Sequence, residues 1–224
     1  PILIGLVGSE MCIRDRYEDN HIIVCYKDKG ILSQKDSSNK LDMLTMLKAY
    51  IKEKYNKPGN VYLGLVHRLD INTSGVMVFA KTSKAASRLS EDIKNHKFEK
   101  KYLATIEGHI YTLEYTKLNC KLLKSESEKK AYVDSNGQES ILYYKALKNY
   151  QINNCDVCDV DIILKTGRFH QIRASFAHIN HPLYGDVKYG SKNKVDSLKF
   201  PLQAYSLSFF HPITKEWLTF EKIV

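Results

Sequence analysis

Two short apolar runs, residues 61–66 and 76–80, bracket the polar stretch His67-Arg68-Leu69-Asp70-Ile71-Asn72-Thr73-Ser74-Gly75. Apolar runs of this length, bounded by turn-forming residues, are the mark of buried strands, so the sequence predicts two strands joined by a polar connection. A connection held at both ends by rigid elements is where loops carry chemistry. Asp70 is the carboxylate in it and stands two residues after Arg68. Asp, Asn, Ser and Gly also favour turns by bonding their own backbone, so a plain turn-capping role for Asp70 is the competing reading.

Around this segment the pattern predicts further strands and a few helices. Residues 21–26 read as an apolar strand, 27–30 (Lys-Asp-Lys-Gly) as a turn and 31–34 as renewed extended chain. Leu41, Leu44, Leu47, Ile51 and Tyr55 recur at helical spacing and stop before Pro58-Gly59. A second helix, capped by Thr82 or Ser83, would bury Ala86, Leu89 and Ile93 and keep Lys84, Glu91 and Lys94 wet. Residues 98–110 and 157–164 have strand patterns, and 111–138 predicts two hairpin strands with an Asn136-Gly137 turn. Ile172, Phe176 and Ile179 form a helix face that Asn180 closes before Pro182. The lysine-rich run 121–130 is expected to be a solvated edge. Strands outnumber helices, so the expected fold class is α+β, with a mixed, mainly antiparallel central sheet and flanking helices.

The chain has 224 residues with 43% hydrophobic content, enough for one large domain or two subdomains. Its 34 Lys+Arg against 25 Asp+Glu give a net charge of +9, which points toward a polyanionic partner and salt-sensitive binding. The five cysteines form no regular framework, as expected in a reducing, cytoplasmic setting. Cys155-Asp156-Val157-Cys158 is a lone CxxC running into a strand pattern, a weak metal or redox signal. His67, His170, His178 and His181 match no compact zinc spacing, so no metal is expected. No apolar run approaches the roughly 20 residues needed to span a bilayer, so no membrane partner is expected.

The string His67-Arg68-Leu69-Asp70, followed by Thr73-Ser74-Gly75 and an apolar run ending in Ala80-Lys81-Thr82, resembles the active-site signature of RluA-type pseudouridine synthases. Gly167-Arg168-Phe169-His170-Gln171-Ile172-Arg173, with His181-Pro182-Leu183-Tyr184-Gly185-Asp186 and Tyr189-Gly190, is similar to that family's second block. A third stretch, Leu202-Gln203-Ala204-Tyr205 to Phe210-His211-Pro212, resembles its closing strand region, so the likeness runs from about Tyr17 to Phe220.

The resemblance implies a catalytic cleft across the central sheet and isomerisation of uridine to pseudouridine in structured ribosomal or transfer RNA, without a cofactor, by a monomeric enzyme. It implies Asp70 as nucleophile, Tyr102 stacking on the base and taking the carbon-five proton, and Arg173 ion-paired to Asp70. It also implies RNA contacts from Arg68, which would support base flipping, and from His67, Arg168, His170 and Gln171. Several positions depart from the family pattern: Ile71-Asn72 replaces a usual charged residue, Ala174-Ser175 a commoner Val-His pair, and Gln203 a frequent histidine. These bear on RNA specificity more than on activity. A non-catalytic RNA binder and a histidine-based metal hydrolase are the rival classes. Residues 7–16 resemble a translated sequencing adaptor, so 1–16 is expected to be non-native, with an ordinary N-terminal strand as the alternative, and 17–224 to form the catalytic domain.

Overall fold

The computed structural model describes residues 16–38 and 40–222, so the expected foreign segment, apart from the backbone of Arg16, lies outside the described residues. The strands in chain order are β1 Arg16–Glu18, β2 Ile22–Lys27, β3 Gly64–Leu65, β4 Ser74–Ala80, β5 Glu99–Glu107 and β6 Thr116–Ser125. They continue with β7 Lys130–Val133, β8 Gln138–Ile152, β9 Cys155–Leu164, β10 Leu202–Phe210 and β11 Trp217–Glu221. Among the described residues the α-helices are α1 Met43–Lys54, α2 Ser83–Lys94 and α3 Gln171–His178, with two short 3-10 turns, Val187–Tyr189 and Ser197–Lys199. The chain divides into two compact units, one up to Phe98 together with residues from Ser206 on, the other Glu99–Tyr205.

In the first unit β2 pairs antiparallel with β1 and β4, with Val24 opposite Val78. Every residue of β2 and β4 is buried, which is why both read as continuous apolar runs rather than as alternation. Ile22, Val24, Val78, Leu89 and Phe209 anchor the core, and Phe98 stacks on Phe209 at 5.1 Å. The two helices of this unit start where a side chain satisfies an orphan amide: Asp42 accepts from Thr45 N at 2.9 Å and Thr82 from Ala85 N at 3.1 Å. The Asp42 cap places Leu41 outside α1, where it is 63% exposed, a correction to the expected stripe. On α2 the buried residues are Ala85, Leu89 and Asp92, with Ala86 and Ile93 only partly covered.

Two further expectations need correction. The strand expected over 61–66 shrinks to Gly64–Leu65, because His67 Nε2 accepts the Val78 N–H at 3.1 Å that the next ladder step would have used. The turn expected at 27–30 begins later, since Lys27 closes β2 with its side chain fully buried, and 31–34 contributes only an isolated bridge between Leu32 and Asp42.

In the second unit β5 pairs with β9, β9 with β8, β8 with β6 and β6 with β7, all antiparallel. The Asn136-Gly137 turn stands where expected, and a Cβ on Gly137 would come within 2.5 Å of the Leu122 backbone, so only glycine fits. α3 lies against the β6–β7 hairpin through a small cluster of Leu122, Ala131, Ala174 and Tyr189. Asn180 closes α3 in the left-handed region at φ 64°, as expected. Cys155 and Cys158 lie on β9 three residues apart and so face opposite sides of the sheet, Cys158 fully buried.

Candidate active site

The Asp70 loop is fixed from below at four points. His67 holds its start to β4 as described. Ser33 Oγ accepts from Leu69 N at 3.0 Å and donates to Leu69 O at 2.8 Å, with the serine 5% exposed. Gly30 N donates to Ile71 O at 2.8 Å. Lys27 Nζ donates to the carbonyls of Ile31 at 2.7 Å, Asp28 at 3.1 Å and Ile71 at 3.3 Å. A buried ammonium is tolerable only with such partners, and these same bonds staple the loop to the end of β2. Thr73 N closes the turn on the carbonyl oxygen of Asp70 at 3.0 Å. Asp70 itself is half-buried between buried Leu69 and half-buried Ile71, whereas Arg68 is exposed and has no ion-pair partner among the described residues. His67, expected to touch RNA, therefore spends one ring nitrogen on the fold.

In the second unit Tyr102 lies on β5 opposite Ile162, 7% exposed. Lys100, two residues earlier on the same face of β5, was not singled out in the sequence; burial pulls its amine down to about 8. Its place at i−2 from Tyr102 is the signal that could have found it.

The block 167–173 forms the entry to α3. Arg168 is exposed, and its Nε donates to Glu139 O at 2.9 Å. His170 takes a left-handed conformation at φ 51° where the helix begins. Arg173 Nη1 lies 3.0 Å from His170 Nε2. A guanidinium only donates, so Nε2 accepts and the imidazole proton sits on Nδ1, 2.9 Å from the Tyr189 hydroxyl. Burial first, then the charges of Arg173, Lys188 and Lys124, pull the His170 pKa down to about 3, in keeping with a neutral ring.

Gln171 departs from its expected RNA contact. It is 3% exposed, its Oε1 accepts from Thr166 Oγ1 at 2.9 Å and Arg168 N at 3.0 Å, and its Nε2 donates to Ile141 O at 3.1 Å. The amide is consumed in holding the loop before α3, so it is a buttress of that loop.

Arg173 carries a partner that the sequence reading did not assign. Its Nε and Nη2 donate to Asp186 Oδ2 and Oδ1 at 2.7 and 2.8 Å, a bidentate pair in which the aspartate side chain is 2% exposed. The guanidinium also lies over Tyr189 at 4.9 Å and Phe200 at 5.6 Å, so its plane is set on several sides. Among the described residues no group of three or more His, Cys, Asp or Glu is arranged to hold a metal ion, and no helix is long and apolar enough to cross a membrane.

The family model described as RNA pseudouridylate synthase matches residues 21–178. Ribosomal large subunit pseudouridine synthase C of Buchnera aphidicola subsp. Baizongia pistaciae is 34% identical over 89% of this chain and 63% of its own length. tRNA pseudouridine synthase C of Vibrio parahaemolyticus is 31% identical over 90% of this chain and 86% of its own. This chain thus spans a little under two thirds of the first of these relatives. The solved structure of human RNA Pseudouridylate Synthase Domain Containing 4 superposes with a TM-score of 0.76 at 20% identity, over 97% of this chain and 91% of that one, and so shares the fold.

Proposed function

The chain belongs to the RNA pseudouridylate synthase family, and from that membership we propose that it isomerises uridine to pseudouridine in structured ribosomal or transfer RNA, with Asp70 as the nucleophile. The observation that carries this reading is the Asp70 loop: a half-buried carboxylate on a turn whose backbone is fixed by Ser33, Lys27, Gly30 and His67. Catalytic groups gain from being held within a fraction of an ångström before substrate arrives. The reaction breaks the bond from ribose C1′ to uracil N1, turns the base and joins C1′ to C5, after which the C5 proton leaves and N1 is protonated. No electrons are gained or lost, so the bond changes themselves call for no redox cofactor. A carboxylate nucleophile divides the change into easier steps.

Tyr102 is assigned to stack on the uracil and take the C5 proton. Arg173 has five N–H donors, so it can serve Asp186 and a second carboxylate together, and its proposed pairing with Asp70 would keep that group ionised. Arg68, exposed two residues before Asp70, suits a role in holding the target nucleotide out of its stack, which costs a few kcal/mol. Arg168 and His170 are proposed to face the RNA beside α3. The free thiols of Cys120, Cys155 and Cys158 suit a reducing cytoplasmic compartment, and a monomer is the proposed working state.

Incubation with pooled ribosomal and transfer RNA tritiated at uridine C5, in chelator, tests the reading. Tritium release by the parent and none by the folded Asp70→Asn variant is expected; equal release by both would remove Asp70 from its role, and none from either would leave a binder.

A further inference from the structure

The β6–β7 hairpin and the start of α3 gather cations over aromatic rings. Lys124 Nζ lies 4.9 Å from the centre of Phe169, and Lys130 Nζ lies 5.2 Å from Tyr189 and 5.0 Å from Tyr132. Lys188, beside Tyr189, is exposed. Phe169 in turn stacks on His170 at 3.8 Å, and the Tyr189 hydroxyl accepts the Ala131 N–H at 2.8 Å, which ties β7 to the 187–189 turn. The rings therefore hold two of the lysine heads in place, where a plain solvated edge would let them swing.

Neutralisation of these charges within the protein is thin. Among the described residues Lys130 and Lys188 form no ion pair, Lys124 meets Glu126, whose side chain is 80% exposed, and the nearby buried carboxylate, Asp186, is committed to Arg173. Like charges brought together repel, and they do so more strongly beside a low-dielectric surface than in open water. A patch of this kind is stabilised by an external anion with several charges in a row. The net charge of +9 favours the same partner over long range.

We propose that Lys124, Lys130 and Lys188, set around Phe169 and Tyr189, form a docking surface for RNA backbone phosphates, separate from the contacts to the target uridine. The proposal rests on the RNA reading above and deepens it. The lysine run expected to be a solvated edge becomes a binding element that supplies affinity and orientation, and takes no part in bond making. Phosphate contacts of this type position the nucleic acid without reading its sequence.

The test compares two folded triple variants of the same charge change, Lys124→Gln/Lys130→Gln/Lys188→Gln and the control Lys52→Gln/Lys57→Gln/Lys84→Gln, binding an end-labelled uridine stem-loop RNA at several salt concentrations. Each lost phosphate contact should reduce the slope of log affinity against log salt by about 0.7 to 0.9, so the hairpin variant should lose about 2 to 3 and bind at least tenfold more weakly at moderate salt. Its kcat at saturating RNA should stay within about twofold of the parent, with the loss in KM, and the corresponding Lys→Arg triple variant should restore the slope. A hairpin variant whose slope and affinity match the control overturns the proposal, as does a parent that binds no RNA. A parent that binds RNA and releases no tritium sinks the isomerase reading alone, and the slope comparison still decides the surface.

Discussion

Ser33 and Leu69, 36 residues apart in the chain, exchange two hydrogen bonds through a single hydroxyl: Ser33 Oγ takes the Leu69 N–H at 3.0 Å and gives its proton to the Leu69 carbonyl at 2.8 Å. Both backbone polar groups of Leu69, the residue before Asp70, are thereby satisfied out of water. The loop could not otherwise bury Leu69, which is 8% exposed, without stranding its backbone. The position of the proposed nucleophile thus depends on a residue in the loop after β2.

Ser33→Ala should therefore act on both stability and rate. It leaves a buried donor and acceptor without their partner, at a cost of about 1–3 kcal/mol, readable as a lower denaturation midpoint. Because the loosened peptide adjoins Asp70, kcat should fall by about tenfold or more while KM changes little. A folded variant with lowered stability and parental kcat would show that the loop keeps its geometry by the Lys27, Gly30 and His67 bonds alone.

The Arg173–Asp186 pair should behave as a buried ion pair. Asp186→Asn removes the carboxylate that clasps the guanidinium, 12% exposed, through two bonds and should cost about 3–5 kcal/mol. Arg173→Met in the same background should restore part of that loss. Equilibrium denaturation of the two single variants and the double gives the coupling energy, and additive effects would rule out the coupling that the bidentate geometry implies.

The parts legible in the sequence were those whose cause is local. β2 and β4 are buried on both faces and show as apolar runs, α2 begins at the side-chain cap of Thr82, and Asp70 stands in a motif of adjacent residues. β8 was not foreseen over its 15 residues, because its second half carries exposed Leu147, Lys148 and Gln151 and is extended through its pairing with β9. The supports of the site were hidden for the same reason. Nothing near Asp70 in sequence points to Ser33 or to the buried ammonium of Lys27, and Asp186 is recognisable as Arg173's partner only when α3 and the following loop are in place. The internal bonds of Gln171, expected from the resemblance to touch RNA, were hidden as well, since Ile141 lies 30 residues away in the chain.

Gln171→Ala tests whether that residue serves the fold or the RNA. The substitution strips Ile141 O, Thr166 Oγ1 and Arg168 N of a common partner, and should lower stability by about 1–3 kcal/mol. If the side chain is a buttress and makes no RNA contact, the salt slope of RNA binding by the folded variant should equal that of the parent. A Gln171→Ala protein with parental stability and weakened RNA binding would return the residue to the RNA face.

Glu18 should give the protein an acid limb of stability that one substitution removes. Its carboxylate joins the edge strand β1 to the end of α1 and to β4's exit, accepting from Lys54 at 2.7 Å, Lys81 at 2.8 Å, Tyr55 at 3.0 Å and Tyr50 at 3.2 Å. Burial by itself would raise its pKa, but the bonds from Lys54, Lys81 and Tyr55 outweigh burial and hold it down to about 2, from an ordinary value of 4.5. A folded-state pKa below the unfolded one means that the unfolded chain takes up the proton first. The stabilisation is then fully present above about pH 5 and drains away as the pH falls toward 2. Glu18→Gln should lower stability at neutral pH, leave Lys54 and Lys81 with a weaker acceptor, and flatten the fall between pH 5 and 2. Urea denaturation of both proteins across that range is the measurement, and parallel curves would show that other carboxylates carry the acid sensitivity.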